Sequence, residues 1–63
     1  MTYQDAVELV QKWPADRSVP RKLKEAIATA KGKDKAFMPQ LVEALMVSSS
    51  SKADFELIDL YFG

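Results

Sequence analysis

The residues best suited to chemistry lie near the C-terminal end, where a serine run meets a lysine and two carboxylates. Residues 49–52, Ser-Ser-Ser-Lys, have the spacing of a nucleophilic serine with a lysine base, and Asp54 and Asp59 could share acid–base work. Histidine and cysteine, the usual general base and the strongest nucleophile, are both absent. A serine run before a helix is more simply a solvated linker that ends in an N-cap. We therefore predict no catalytic residues and a protein that is not an enzyme.

The composition also argues against a metal site and a phosphate-binding loop. Without Cys or His, a structural zinc site would have only carboxylates as ligands, which is rare. The glycine–lysine segment 30–35 lacks the second glycine of a phosphate loop, and it follows a predicted helix instead of a strand. The sequence thus predicts neither a metal nor any other cofactor.

Charge is distributed unevenly along this neutral chain. Residues 16–35 hold seven basic and three acidic residues, a net charge of +4. Residues 1–15 hold one basic against two acidic residues (−1), and residues 36–63 hold one against four (−3). The seven basic residues of the middle stretch are Arg17, Arg21, Lys22, Lys24, Lys31, Lys33 and Lys35. A basic middle and an acidic end are the main functional hint that the sequence offers.

Two predicted helices joined by a glycine-containing turn have the outline of a helix-turn-helix unit, which makes nucleic acid one candidate partner. In that motif the second helix enters the major groove and reads the bases. Here the basic residues lie on the first helix and the turn, and the second helix offers only Gln40 and Glu43 near its middle. Any binding would then be non-specific phosphate contact that weakens with salt. The alternative is that these residues form a solvated face.

The size of the chain limits what it can build. Residues 1–63 are expected to form a single small domain with a thin core, and its free energy of unfolding is about 3–5 kcal/mol. No apolar run approaches the ~20 residues that a membrane span needs. The N-terminus has no basic flank before an apolar stretch, so no signal peptide is predicted. The expected location is the cytoplasm, without membrane contact.

Helical signals predict an all-α fold, a compact bundle of three or four short helices. The first helix is predicted over 3–12, from a capping box of Thr2 and Asp5 to the break at Pro14. The second runs from an N-cap at Ser18 to a C-cap at Gly32. The third is predicted over 36–47 and the fourth over 52–61, the latter after a second capping box, in segment 51–54.

Apolar spacing gives a candidate core. Its members are Val7, Val10, Trp13, Leu23, Ile27, Phe37, Leu41, Leu45, Phe55, Ile58 and Tyr61. The fourth helix is unusual, because its apolar side chains cover an arc of about 220° where a surface helix needs little more than about 100°. Either this helix is central and packed by the other three, or Leu57 and Leu60 face a partner. The second case would mark an interface that also includes Phe62.

These observations favour a small soluble protein-interaction module without enzymatic activity, which binds a protein partner or forms a homo-oligomer. Its expected interface residues are Leu57, Leu60 and Phe62. The alternative function is a helical nucleic-acid-binding domain, in which the seven basic residues of the middle stretch contact phosphates. Acid and base mixed on one surface would disfavour that alternative, and a uniformly basic face would favour it.

Overall fold

The computed structural model describes residues 2–63, which form five helices and contain no strand. The helices are α1 (Tyr3–Val10), α2 (Val19–Thr29), α3 (Lys33–Phe37), α4 (Gln40–Ser48) and α5 (Lys52–Phe62). The predicted all-α class is confirmed. None of the helices within this range is long and apolar enough to cross a membrane.

Both predicted capping boxes are present and set the starts of α1 and α5. The hydroxyl of Thr2 accepts from the N–H of Asp5 at 3.2 Å, and the carboxylate of Asp5 accepts from the N–H of Thr2 at 3.2 Å. Ser51 and Asp54 repeat this exchange at 3.3 Å in each direction. Each box satisfies two backbone donors that a helix start otherwise leaves without partners.

The ends of α2 differ in detail from the prediction. Ser18 occupies the N-cap position, but its hydroxyl donates to Asp16 at 2.6 Å and makes no capping bond to the helix. At the other end the C-cap is Ala30, not Gly32. Gly32 instead precedes α3 with φ of +62°, in the left-handed region that glycine tolerates best.

The predicted third helix is two helices. Because Pro39 has no N–H to donate, the chain turns at Met38 and Pro39, and α4 begins after them. The N–H of Leu41 donates to the carbonyl of Met38 at 2.9 Å, and Val42 donates to Pro39 at 3.1 Å. The first helix is also shorter than predicted: α1 ends at residue 10, and a turn follows that includes the cis Trp13–Pro14 bond.

The four longer helices surround one core. Helix α1 packs against α2 and α4, and α5 packs against the same two helices, so their order around the core is α1, α2, α5, α4. The buried apolar residues are Ala6, Leu9, Val10, Trp13, Val19, Leu23, Ala26, Ala30, Met38, Leu41, Leu45 and Ile58. Six of the eleven predicted core residues are in this set.

Two predicted core residues are wrong, and three others are only half-buried. Phe37 is 49% exposed because α3, which it ends, buries none of its five residues; its ring instead meets that of Tyr3 edge-on. Phe55 is 46% exposed because Asp54 and Ile58 take the inward positions on α5. Val7, Ile27 and Tyr61 are half-buried, and of these Val7 and Ile27 pack against the core.

Candidate interaction surface

The orientation of α5 follows from its first turn. The capping box holds Asp54 inward, where it is 4% exposed, and Ile58 one turn later is 1% exposed. Leu57 and Phe62 lie at the two sides of this inward direction and are half-buried against the core. Leu60 lies on the opposite side of the helix and is 70% exposed. The wide apolar arc of α5 therefore extends past what the core covers.

The residues around Leu60 are acidic. Glu56 lies one turn before it, Asp59 immediately before it, and both are exposed. Glu56 also pairs with Lys52 at 3.8 Å, but both side chains are well exposed, so that pair contributes little. The outward side of α5 is thus an exposed leucine beside two carboxylates, which we call the α5 surface: Glu56, Asp59 and Leu60.

Other exposed apolar side chains are Phe37 at the end of α3, Phe55 on α5 and two residues on α4. Val47 is 86% exposed and Met46 is 42% exposed, both in the last turn of α4. Single exposed apolar residues are normal on a folded protein. Leu60 differs because its helix also carries Leu57 and Phe62, the two half-buried residues that the sequence assigned to the same interface.

All seven basic residues of the middle stretch are exposed, as a solvated face or a binding face requires. Arg21, Lys22 and Lys24 lie on α2, and the other lysines lie in α3 and just before it. Arg21 approaches Glu25 at 3.8 Å in an exposed i,i+4 pair. Because α2 packs against α5, the basic helix and the acidic helix lie side by side.

The guanidinium of Arg17 contacts other residues of the protein and is therefore not a free basic group for a ligand. Its guanidinium hydrogen-bonds the carboxylate of Asp54, donates to the carbonyl of Pro14 at 3.4 Å, and lies 4.7 Å from the ring centroid of Trp13. The cation therefore neutralises a buried carboxylate and stacks on an aromatic face. The sequence grouped Arg17 with the phosphate-binding candidates because this partner is distant in the chain.

Asp54 is the buried charged residue among residues 2–63, and its environment favours the ionised form. The backbone N–H of Ser50 donates to it at 3.0 Å, and Arg17 and Ser51 donate as well. These hydrogen bonds, that from Ser50 foremost, lower its pKa from 3.8 to about 2. A carboxylate held in this way acts as a structural anion. Its spacing from Asp59 had suggested acid–base chemistry.

Trp13 lies in the turn after α1 and connects that turn to the linker between α4 and α5. Its indole N–H donates to the hydroxyl of Ser49 at 3.0 Å, and Ser49 donates to the carbonyl of Leu45 at 2.7 Å. Within residues 2–63, every buried side-chain nitrogen and oxygen has a hydrogen-bond partner. Ser49 and Ser51 therefore have structural partners, in the serine run whose spacing resembled a nucleophile with its base.

In the part of the chain that the structure describes, no pocket is enclosed and no group of three or more acidic side chains is placed to hold a metal ion. Comparisons with family models, with curated proteins and with solved structures give no match for this chain.

Proposed function

We propose that this protein is a small, non-enzymatic interaction module of the cytoplasm that binds a protein partner or a second copy of itself through α5. The contact would centre on Leu60, with Leu57 at its edge. Phe62, the third residue that the sequence assigned to this interface, lies on the other side of α5 from Leu60. The observation that supports this most is the exposure of Leu60, 70%, the more exposed of the two large apolar side chains of α5 that the core leaves uncovered. Covering such a side chain removes apolar surface from water.

The energetics favour a weak contact. Fully burying one large apolar side chain gains about 1.5–3 kcal/mol. Leu57 and Phe62 are already half-buried, so each can gain only part of that on binding. Since a micromolar complex needs about 8 kcal/mol after the costs of association, polar contacts from the neighbouring charges must contribute.

Site-specific photocrosslinking tests the proposal. A benzophenone amino acid replaces Leu60 in one variant and Gln11, an exposed residue outside α5, in a matched control. Both variants are irradiated in the native cell, and lysates are treated with nuclease before electrophoresis. We expect a discrete protein adduct, either a heteromeric product or a covalent dimer, from position 60 and none from position 11.

Identical adduct patterns from the two positions would contradict the proposal, because α5 would then be no more engaged than any other surface. An adduct that is present in an untreated aliquot and disappears after nuclease would identify nucleic acid as the crosslinked partner, because nuclease cannot remove a covalent adduct to a protein. That result would favour the alternative function.

The alternative, binding of nucleic acid, is supported by the exposure of all seven basic residues of the middle stretch. Two features weigh against it as the main function. Arg17 already has a carboxylate partner, and α5 with its exposed acids lies directly beside α2. Phosphates that approach α2 would meet those acids as well, and repulsion between like charges reduces affinity.

A further inference from the structure

Helices α2 and α5 present opposite charges on neighbouring outward faces of the bundle. Beside Glu25, which pairs with Arg21, the outward side of α2 carries Arg21, Lys24 and the small Ala28, all exposed. We call these three residues the α2 surface. The α5 surface carries Glu56, Asp59 and Leu60. Resting on the function proposed above, we propose that its occupant is a second copy of this chain, in a symmetric dimer where each α2 surface meets the α5 surface of the other copy.

The symmetry argument depends on the packing of α2 against α5. A two-fold axis that runs along the seam between these helices places α2 of one copy over α5 of the other, and the reverse. The same patch then serves both copies, as an isologous interface requires. Each basic surface meets an acidic one twice, and no like-charged helices face each other.

The α2 surface also has a suitable place for the exposed leucine. Residues 21, 24 and 28 follow at i, i+3 and i+7, so they lie along one side of α2. Ala28 leaves a shallow position one turn beyond Lys24, at the end of the row formed by the aliphatic stems of Arg21 and Lys24. An incoming Leu60 can cover these stems while Glu56 and Asp59 meet the cationic heads.

Charge favours a second copy over other occupants. The chain has nine basic and nine acidic residues, so two copies meet without net repulsion. A strongly acidic partner would be attracted by α2 but repelled by α5, and a strongly basic partner would meet the reverse. A partner with the same alternation of charge satisfies both helices, and the chain itself has that alternation.

The available area predicts a weak dimer. A standard interface buries about 800 Å² on each partner, roughly a fifth of the 4154 Å² that this molecule exposes. The molecule measures 34 × 21 × 17 Å, so an interface of that size would need most of one broad face. We therefore expect rapid exchange between monomer and dimer, and a dimer population that falls as salt screens the charges.

Sedimentation equilibrium with charge-reversed variants tests the arrangement. One variant reverses the α2 surface (Arg21→Glu with Lys24→Glu), one reverses the α5 surface (Glu56→Lys with Asp59→Lys), and a third carries all four changes. Each of the first two should raise the dimer dissociation constant about tenfold or more, because like charges then face each other. The third is neutral again and should regain a dissociation constant close to that of the wild type.

Matched controls separate the surface from net charge. Lys12→Glu with Lys33→Glu changes the net charge as the α2 reversal does, and Glu8→Lys with Glu43→Lys does the same for the α5 reversal; all four sites are exposed and outside α2 and α5. We expect these controls to weaken the dimer less than the reversals do. Circular dichroism checks that every variant keeps its helices.

Three results would overturn the dimer: a wild-type monomer at millimolar concentration in low salt, a dimer that salt does not weaken, or a folded four-site variant that stays dissociated. The function proposed above is judged separately. If the wild type is monomeric but position 60 crosslinks to a different protein, only the dimer fails. If the chain is monomeric and position 60 yields no adduct, both fail.

Discussion

The guanidinium of Arg17 and the carboxylate of Asp54 form an ion pair across 37 positions of the chain. Asp54 is buried, whereas the side chain of Arg17 is 47% exposed and stacks on Trp13. The same carboxylate closes the capping box of α5. One side chain thus fixes the start of α5 and joins it to the turn before α2. The orientation of α5, and with it the exposure of Leu60, depends on this junction.

Replacing Asp54 by Ala should destabilise the fold more than Asp5→Ala does. Both residues occupy the N3 position of a capping box, but Asp5 is exposed and makes no ion pair within residues 2–63, whereas Asp54 also binds Ser50 and Arg17. Losing one capping interaction costs about 1 kcal/mol, which sets the scale for Asp5→Ala. Urea unfolding of the two variants measures the difference. Equal losses would mean that the ion pair adds nothing to the cap.

The pH dependence of stability should carry the signature of Asp54. Its pKa is about 2 in the folded protein against 3.8 ordinarily, so its contribution is complete above 3.8 and is lost as the pH falls through about 2. The free energy of unfolding of the wild type should exceed that of Asp54→Asn most at neutral pH, and the gap should narrow in that acidic window. A gap that stays constant down to the lowest pH would contradict this assignment.

Local signals in the sequence were sufficient for the two capping boxes and the all-α class. A Ser or Thr with an Asp three positions later forms its bonds within one turn, so distant packing has little influence. The break at Pro39 was harder to place. The missing N–H at Pro39 shows where a helix cannot be regular, but it does not show that Met38 is fully buried at the turn.

The Arg17–Asp54 ion pair and the orientation of α5 could not be predicted from the sequence, because both depend on contacts between distant segments. Periodicity placed Phe55 in the core with Ile58 and ignored a charged residue as a candidate for burial. In the structure Asp54 takes that inward position, since its carboxylate finds an arginine and two backbone donors there. Because Asp54 and not Phe55 points inward, α5 is rotated so that Leu57 and Phe62 are only half-buried.

Core substitutions on α2 should rank by burial. Leu23 is fully buried, and Leu23→Ala should cost about 2–5 kcal/mol, most of the stability of a domain of this size. The sequence placed Ile27 in the core as well, but Ile27 is half-buried, so Ile27→Ala should cost less. Thermal unfolding followed by circular dichroism gives the order. A larger loss for Ile27 than for Leu23 would mean that α2 is rotated about its axis.

The bond from Trp13 to Ser49 can be tested with a neighbouring serine as control. Ser49→Ala leaves a buried indole N–H without an acceptor, which should lower the free energy of unfolding by about 1–3 kcal/mol. Ser48→Ala changes an exposed hydroxyl and should shift it by no more than about 0.5 kcal/mol. Trp13 is the only tryptophan, so its fluorescence during urea unfolding reports directly on the contact between Trp13 and Ser49. Similar losses in both variants would exclude a specific role for the bond.

The alternative function makes a quantitative prediction about salt. If the basic residues neutralise Z phosphates of duplex DNA, the logarithm of the binding constant should fall with the logarithm of salt concentration with a slope of about −0.9Z. Lys22→Glu with Lys24→Glu should lower affinity equally for unrelated sequences, because contacts to phosphates carry no sequence information. Fluorescence anisotropy with two labelled duplexes over a range of salt measures both effects. No detectable binding at low salt would eliminate this function, and a difference between the two duplexes would show base contacts that the polar residues of α4 do not predict.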